Sequence, residues 1–235
     1  MGAFIRFIVG LVLLPFVWAE CRVAAAILPN AFTQEAPFIS TPLLSMIGGF
    51  AVWLLLACRA SASSWFYVLG HELTHACWAL LTFSKVSKIK VSSNGGYCLI
   101  SNPGMFTTLA PYFIPFYLLV VLAVRALLGI WFEMPGGAPW WMGAVGFTYG
   151  FHVTNTVAAL TKAEQSDIRV YGRFFSCVFI IVANLAFLDL GMSVAMGVPL
   201  GELWCAVAEN TASVYAAVWT ALLGAAAKLR VALRG

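Results

Sequence analysis

The chain has 235 residues, of which 62% are hydrophobic and only 9% are charged, and its formal net charge is +4. Soluble domains carry about 25% charged residues, so this composition excludes an ordinary soluble enzyme and indicates a membrane protein with several spans. The positive charges form no basic tract, which argues against a nucleic-acid partner and leaves the lipid bilayer as the expected surroundings.

Apolar runs close to the length that crosses a bilayer predict an all-α polytopic membrane protein with about six to seven transmembrane helices. We expect accessory membrane segments in residues 1–64, a core in residues 65–172 and further membrane segments in residues 173–235. The apolar runs are residues 4–28, 41–58, 65–83, 109–132, 139–161, 168–190 and 211–229.

The third apolar run contains the pattern Gly70-His71-Glu72-Leu73-Thr74-His75. Two histidines four residues apart lie one turn apart on the same face of a helix, so both imidazoles can bind a single Zn²⁺. Glu72 lies beside them and can act as the general base on a zinc-bound water. Without such a partner, two imidazoles and a carboxylate would cost several kcal/mol in a membrane helix, which disfavours the interpretation as ordinary core histidines.

Residues 85–101 interrupt the apolar pattern directly after this helix. Polar and apolar residues alternate over 88–91, Asn94-Gly95 is a strong hairpin-turn signal, and residues 96–100 return as a second short strand. We therefore expect a β-hairpin, although a solvated surface loop is the alternative. An open strand edge can pair with an extended substrate segment, and the candidate substrate contacts are Ile89, Val91, Tyr97 and Leu99.

The fourth and fifth runs carry helix-breaking and polar residues. Pro111 and Pro115 lie one turn apart at the start of the fourth run and should distort that helix and widen a cavity mouth. His152 and Asn155 lie near the middle of the fifth run, where polar groups usually point into the protein. Both are candidates for stabilising an oxyanion, and interhelical hydrogen bonds are the alternative role.

A catalytic zinc needs a third protein ligand besides the two histidines. A metzincin would have Gly and His at positions 78 and 81, but this chain has Trp78 and Leu81. The chain has only two aspartates, Asp167 in a polar break between two runs and Asp189, about 30 Å further along the following helix. Asp167 is the favoured ligand, and the alternatives are Glu164, His152 and Glu133.

These motifs together resemble the site-2 protease family of intramembrane zinc metalloproteases. The likeness rests on the His71 to His75 pattern, the hairpin with Gly95-Gly96, the Ala110-Pro111-Tyr112 turn and the distal Asp167, and it covers roughly residues 65–172. It implies a three-helix core that binds one Zn²⁺ per chain through the two histidines and Asp167, with Glu72 as the general base.

The chain also departs from the family's pattern. The usual Leu-Asp-Gly motif of the third ligand is replaced by Gln165-Ser166-Asp167-Ile168, and the upstream Asn-x-x-Pro element has Asn155 as its nearest counterpart. No PDZ-like insertion is present in the sequence given. The resemblance therefore implies a compact member of the family.

Basic residues concentrate on one predicted side of the membrane. The positive-inside rule places them in the cytoplasm, together with the C-terminus, and the active site then lies toward that side with the N-terminus outside. For Asp167 to reach the histidines, residues 161–167 must enter the protein as an unwound loop beside a hydrated cavity. The basic residues are Lys85, Lys88, Lys90, Lys162, Arg169, Arg173, Lys228, Arg230 and Arg234.

The sequence therefore predicts an intramembrane zinc metalloendopeptidase in a prokaryotic plasma membrane, with a membrane-protein or membrane-embedded peptide as substrate. One alternative is a membrane gluzincin that uses Glu133 or Glu164 as its third ligand. The other is a zinc-binding membrane scaffold or chaperone without catalysis, in which Glu72 would be dispensable.

Overall fold

Most of the chain is helical. The computed structural model describes residues 2–33, 41–58, 65–93, 95–133, 138–161, 165–195 and 198–233. The elements are α1 (Ala3–Thr33), α2 (Thr41–Ala57), α3 (Trp65–Leu81), β1 (Val86–Ser92), β2 (Gly95–Ile100), α4 (Met105–Leu109), a 3₁₀ turn (Ala110–Tyr112), α5 (Phe116–Leu128), α6 (Pro139–Thr161), α7 (Ser166–Val170), α8 (Arg173–Ala195) and α9 (Leu200–Ala232).

The helices fall into two units. One unit joins Met1–Glu35 with Gly172–Gly235, and in it α1 packs against both α8 and α9. This unit buries two carboxyl side chains, Glu20 on α1 and Asp189 on α8. The other unit comprises Ala36–Tyr171 and contains the histidine motif, the hairpin and the helices around them.

Three of the described helices, α1, α8 and α9, are long and apolar enough to cross a membrane, and the bent pair α4–α5 raises the number to four if it forms one span. This is fewer than the six to seven spans predicted from the sequence. The helices α2 and α3 have 17 residues each, whereas about 20 are needed to span the hydrocarbon core. The helix α6 is longer but carries polar residues along its length.

Close packing of α2 against α6 depends on glycine. A Cβ atom added to Gly49 would lie 1.9 Å from the backbone oxygen of Gly143, and one added to Gly146 would lie 1.8 Å from that of Met46. Small residues allow helix backbones to approach in this way. The contact fixes α6, which carries His152 and Asn155, against its neighbour.

The motif helix α3 ends in a left-handed residue that turns the chain toward the hairpin. Phe83 has a φ of 57°, and the N–H of Ser84 donates a hydrogen bond to the backbone oxygen of Ala79 at 2.8 Å. This is the usual closing pattern of an α-helix, although glycine is the common residue there. The chain then enters β1 within three residues of the turn.

The predicted β-hairpin after the motif helix is confirmed. The strands β1 and β2 are antiparallel and form a two-stranded sheet among the described residues. The second strand begins at Gly95, one residue earlier than predicted, and Asn94 lies outside the described residues.

Partners across the hairpin share a face of the sheet. The pairs Ile89–Cys98 and Val91–Gly96 lie on one face. A Cβ atom at Gly96 would meet side-chain atoms of Val68 and Glu72, so this face packs against α3. The opposite face carries the pairs Lys88–Leu99 and Lys90–Tyr97.

The predicted distortion of the fourth apolar run is confirmed as a sharp bend. The α4–3₁₀ segment and α5 form an angle of 82°. Pro111 lies in the 3₁₀ turn and Pro115 directly precedes α5, and proline removes the backbone donor that a continuous helix would need. The bend places Tyr112 beside α3 and α7, as its contacts below demonstrate.

Candidate metal centre

Three side chains that can ligate a metal converge in the second unit. Nε2 of His71 lies 3.2 Å from Nε2 of His75 and 3.2 Å from Oδ2 of Asp167. Nε2 of His75 lies 3.4 Å from the same Asp167 oxygen. Among the described residues, this is the one group of at least three His, Cys, Asp or Glu side chains that could hold a metal ion.

The triangle of ligand atoms fits a tetrahedral zinc ion. In such a site, zinc–ligand distances of about 2.0 to 2.1 Å place neighbouring ligand atoms about 3.3 to 3.4 Å apart. The three observed separations are 3.2, 3.2 and 3.4 Å. Without a cation, only protons shared among these atoms could offset the repulsion between their lone pairs. The donor set of two imidazoles and one carboxylate also suits zinc.

The helix α3 positions both histidines, and the short helix α4 orients His75. His71 and His75 lie one turn apart on α3, and their rings meet edge to face with centroids 4.8 Å apart. Nδ1 of His75 donates a hydrogen bond to the backbone oxygen of Thr107 at 2.8 Å. A hydrogen bond of this kind fixes the tautomer and leaves Nε2 as the ligand atom.

Asp167 reaches the histidines from the short helix α7. We expected an unwound loop over residues 161–167, but Ser166 and Asp167 already belong to α7, while residues 162–164 lie outside the described residues. The N-cap of α7 is Gln165, which makes no side-chain cap hydrogen bond. Burial alone would raise the pKa of Asp167, but the neighbouring imidazoles of His71 and His75 hold the pKa below its usual value in the metal-free site. The carboxylate is therefore ionised, as a metal ligand must be.

Glu72 lies on α3, and its side chain is buried against the hairpin. Its side chain lies against Gly96 of β2, because a Cβ atom added there would come within 2.9 Å of Cγ of Glu72. The carboxylate is close enough to His75 and Asp167 to interact with both electrostatically. Glu72 thus lies beside the ligand triangle without being part of it.

A small cleft with a cavity volume of about 30 Å³ lies beside His71. His152 and Asn155 line it together with His71 and Tyr112, so the structure brings both polar residues of α6 to the same cavity as one of the three ligand residues. His152 is buried. The Nδ2 atom of Asn155 donates a hydrogen bond to the backbone oxygen of Phe151 at 2.7 Å.

The four hairpin residues considered as substrate contacts do not form one surface. Ile89 and Val91 lie on the face that packs against α3, whereas Tyr97 and Leu99 lie on the opposite face with the lysines. Tyr97 is also within 6.0 Å of the Lys88 ammonium group. A substrate strand at the edge of β1 would therefore lie closer to Ile89 and Val91 than to Tyr97 and Leu99.

The alternative third ligands are placed differently. Glu133 is exposed at the end of the α5 segment and is not grouped with the histidines. Glu164 lies outside the described residues. His152 lines the cavity but does not belong to the ligand group.

Sequence reasoning missed two contributors to the site. The hydroxyl of Tyr112 donates to Oδ2 of Asp167 at 3.1 Å, and the backbone oxygen of Thr107 orients His75. Tyr112 belongs to the Ala110-Pro111-Tyr112 turn on which the family resemblance partly rests. Its spacing in the sequence does not predict a contact with Asp167, which lies 55 residues further along the chain. The backbone oxygen of Thr107 could not be predicted from the sequence, because every residue has a backbone carbonyl group.

The chain was also compared with known proteins. No protein-family model, no curated protein and no solved structure matches it. The interpretation of the site therefore rests on the residues and their geometry.

Proposed function

We propose that the protein is an intramembrane zinc metalloendopeptidase that hydrolyses a peptide bond in or near a transmembrane segment of a membrane-protein substrate. The observation that supports this most directly is the convergence of His71, His75 and Asp167 at zinc-like separations with Glu72 beside them. Two histidines, one carboxylate and a nearby carboxylate that is not a ligand form the residue set of a hydrolytic zinc site.

In this proposal each residue has a separate task. His71, His75 and Asp167 hold one Zn²⁺, which when bound polarises the scissile carbonyl and acidifies the attacking water. Glu72 would accept a proton from the attacking water and deliver it to the leaving nitrogen. His152 and Asn155, which line the cavity beside His71, would stabilise the developing oxyanion.

The outer edge of β1 is the proposed site for the substrate backbone. Ser92 of β1 pairs with Gly95 of β2 across a two-residue connection. The residues that flank such a connection form a hydrogen-bonded pair. Hydrogen-bonded and non-hydrogen-bonded pairs then alternate along the two strands. Ile89 and Val91 then occupy non-hydrogen-bonded positions, and their backbone N–H groups point away from β2. These groups can pair with an extended substrate segment beside the α3 face of the sheet.

The same proposal includes the membrane topology. We infer that α2, α3 and α6 cross the membrane together with the more apolar helices, which gives about six to seven spans. The positive-inside rule then places Lys85, Arg169 and the C-terminus in the cytoplasm, the active site toward that side and the N-terminus outside. A prokaryotic plasma membrane is the proposed location.

Metal analysis of the purified full-length protein tests the proposal. We expect one zinc per chain, loss of zinc in His71→Ala, and cleavage of single-span membrane proteins reconstituted with the wild-type protein but not with this variant. Absence of zinc after growth and purification with zinc present would contradict the proposal. Stoichiometric zinc without any cleavage would favour the scaffold or chaperone instead.

A further inference from the structure

Tyr112 is a buried side chain that links the ligand loop to the bend between α4 and α5. It is only 1% exposed, and its hydroxyl lies 3.1 Å from Oδ2 of Asp167 and 3.3 Å from Oε1 of Gln165. A phenol donates one proton at a time, and an ionised carboxylate is the stronger acceptor. The hydroxyl therefore donates to Asp167 in preference to Gln165.

The tyrosine itself is held from three directions. Its backbone oxygen accepts a hydrogen bond from Oγ1 of Thr156 on α6 at 3.2 Å. Its ring meets the His71 ring edge to face, with centroids 5.3 Å apart and an angle of 73°. Its backbone lies in the 3₁₀ turn directly after Pro111, whose φ is restricted. The position of the hydroxyl is thus set by packing and not by Asp167 alone.

The contact selects one oxygen of Asp167. Oδ2 is the atom that lies 3.2 and 3.4 Å from the two histidine nitrogens, and it is also the acceptor of the Tyr112 hydroxyl. The other oxygen, Oδ1, lies 3.3 Å from Oγ of Ser166. Because a carboxylate oxygen has two lone pairs, Tyr112 can occupy one of them while the other points into the ligand triangle.

We infer that Tyr112 is a positioning residue, whose hydroxyl holds Oδ2 of Asp167 in the triangle with His71 and His75 and thereby sets the affinity of the site for zinc. The inference rests on the proposed function in so far as zinc is the ion bound. Because α7 has only five residues and its N-cap Gln165 makes no side-chain cap hydrogen bond, this hydrogen bond is one of the contacts that hold it against the bend. Hydrogen bonds to metal ligands typically contribute about 10- to 100-fold to metal affinity.

The test is the zinc affinity of the full-length Tyr112→Phe protein, measured by competition with a chromogenic chelator. We expect the variant to bind zinc about 10- to 100-fold more weakly than the wild type. Tyr117→Phe is the matched control, because the Tyr117 hydroxyl donates to the backbone oxygen of Phe66 and not to a ligand. Its zinc affinity should equal that of the wild type. The visible spectrum of Co²⁺-substituted protein should change in Tyr112→Phe and not in the control.

A measurement on the unmodified side chain covers the case in which Tyr112→Phe does not fold. Protein labelled with ¹³C at Cζ of Tyr112 should show a chemical shift that changes when zinc is added and reverts when it is chelated. Equal zinc affinities of Tyr112→Phe and wild type, or an unchanged Cζ resonance, would overturn this inference and leave the protease proposal standing. A wild-type protein that binds no zinc would instead overturn the proposed function.

Discussion

Gly96 provides the space in which the side chain of Glu72 lies. A Cβ atom added to Gly96 would come within 2.9 Å of Cγ of Glu72, 2.7 Å of Val68 and 2.6 Å of the backbone oxygen of Lys90. The backbone atom cannot yield easily, so the helix or the glutamate would have to move. The hairpin therefore determines where the proposed general base is held relative to the ligand triangle.

Gly96→Ala should accordingly lower kcat while zinc stays bound. A misplacement of about 1 Å at a catalytic group can reduce the rate about 100-fold. The three atoms nearest to the added methyl group belong to Lys90, Val68 and Glu72 and not to a ligand residue, so metal analysis should still find zinc. Gly104→Ala is the matched control, because a Cβ atom there would meet nothing within 4 Å. Equal rates for both variants would show that Gly96 does not position Glu72.

Glu72→Gln should abolish cleavage and leave zinc bound. Glutamine keeps the size of the side chain but cannot accept and return a proton, and general acid–base catalysis contributes about 100- to 10,000-fold. The readouts are zinc per chain and turnover of a reconstituted substrate. Glu202→Gln, at an exposed position of α9, serves as the control. Loss of zinc in Glu72→Gln would make the glutamate a ligand, and normal function of this variant in cells would favour a scaffold.

The hydrogen bond between His75 and Thr107 predicts a specific tautomer. Since the backbone oxygen of Thr107 can only accept, Nδ1 of His75 carries a proton. Nδ1 of His71 is buried without a hydrogen-bond partner among the described residues, whereas its Nε2 faces the other ligands. Long-range ¹H–¹⁵N spectra of the zinc-loaded protein should show protonated Nδ1 and metal-bound Nε2 for both rings. Coordination through Nδ1 of either ring would contradict the geometry described above.

The sequence predicted local features of the site better than its tertiary contacts. The spacing of His71 and His75, the alternation over residues 88–91 and the prolines before α5 act within one turn or one hairpin, so each leaves a readable pattern. The positions of Tyr112 and Thr107 depend on an 82° bend, whose direction a sequence does not specify. Of the six to seven predicted spans, three, or four with the bent pair, are supported by the length and composition of the described helices. The apolar runs of α2 and α3 form helices of only 17 residues each, which length alone does not identify as spans.

Proline at Ile89 or Val91 should slow cleavage without loss of zinc. Both backbone N–H groups point to the open edge of β1, as the register of the hairpin requires, and proline removes such a donor without breaking the pairing with β2. The expected effect is a higher KM for a reconstituted substrate. Val91→Thr, which keeps the N–H group, is the control. Unchanged turnover in both proline variants would exclude β1 as the substrate-binding edge.

Asp167→Ala should lower zinc occupancy and abolish cleavage. A role in starting α7 is the competing explanation, because acidic residues favour the first turn of a helix. That explanation predicts a loss of only about 1 kcal/mol of stability with zinc retained. The geometry favours the ligand role, since the N-cap is Gln165 and the Asp167 carboxylate is directed at His71 and His75. Asp189→Asn replaces the chain's other aspartate and should leave zinc occupancy unchanged. Full zinc occupancy with normal cleavage in Asp167→Ala would reject the assignment and make Glu164 and His152 the ligands to test next.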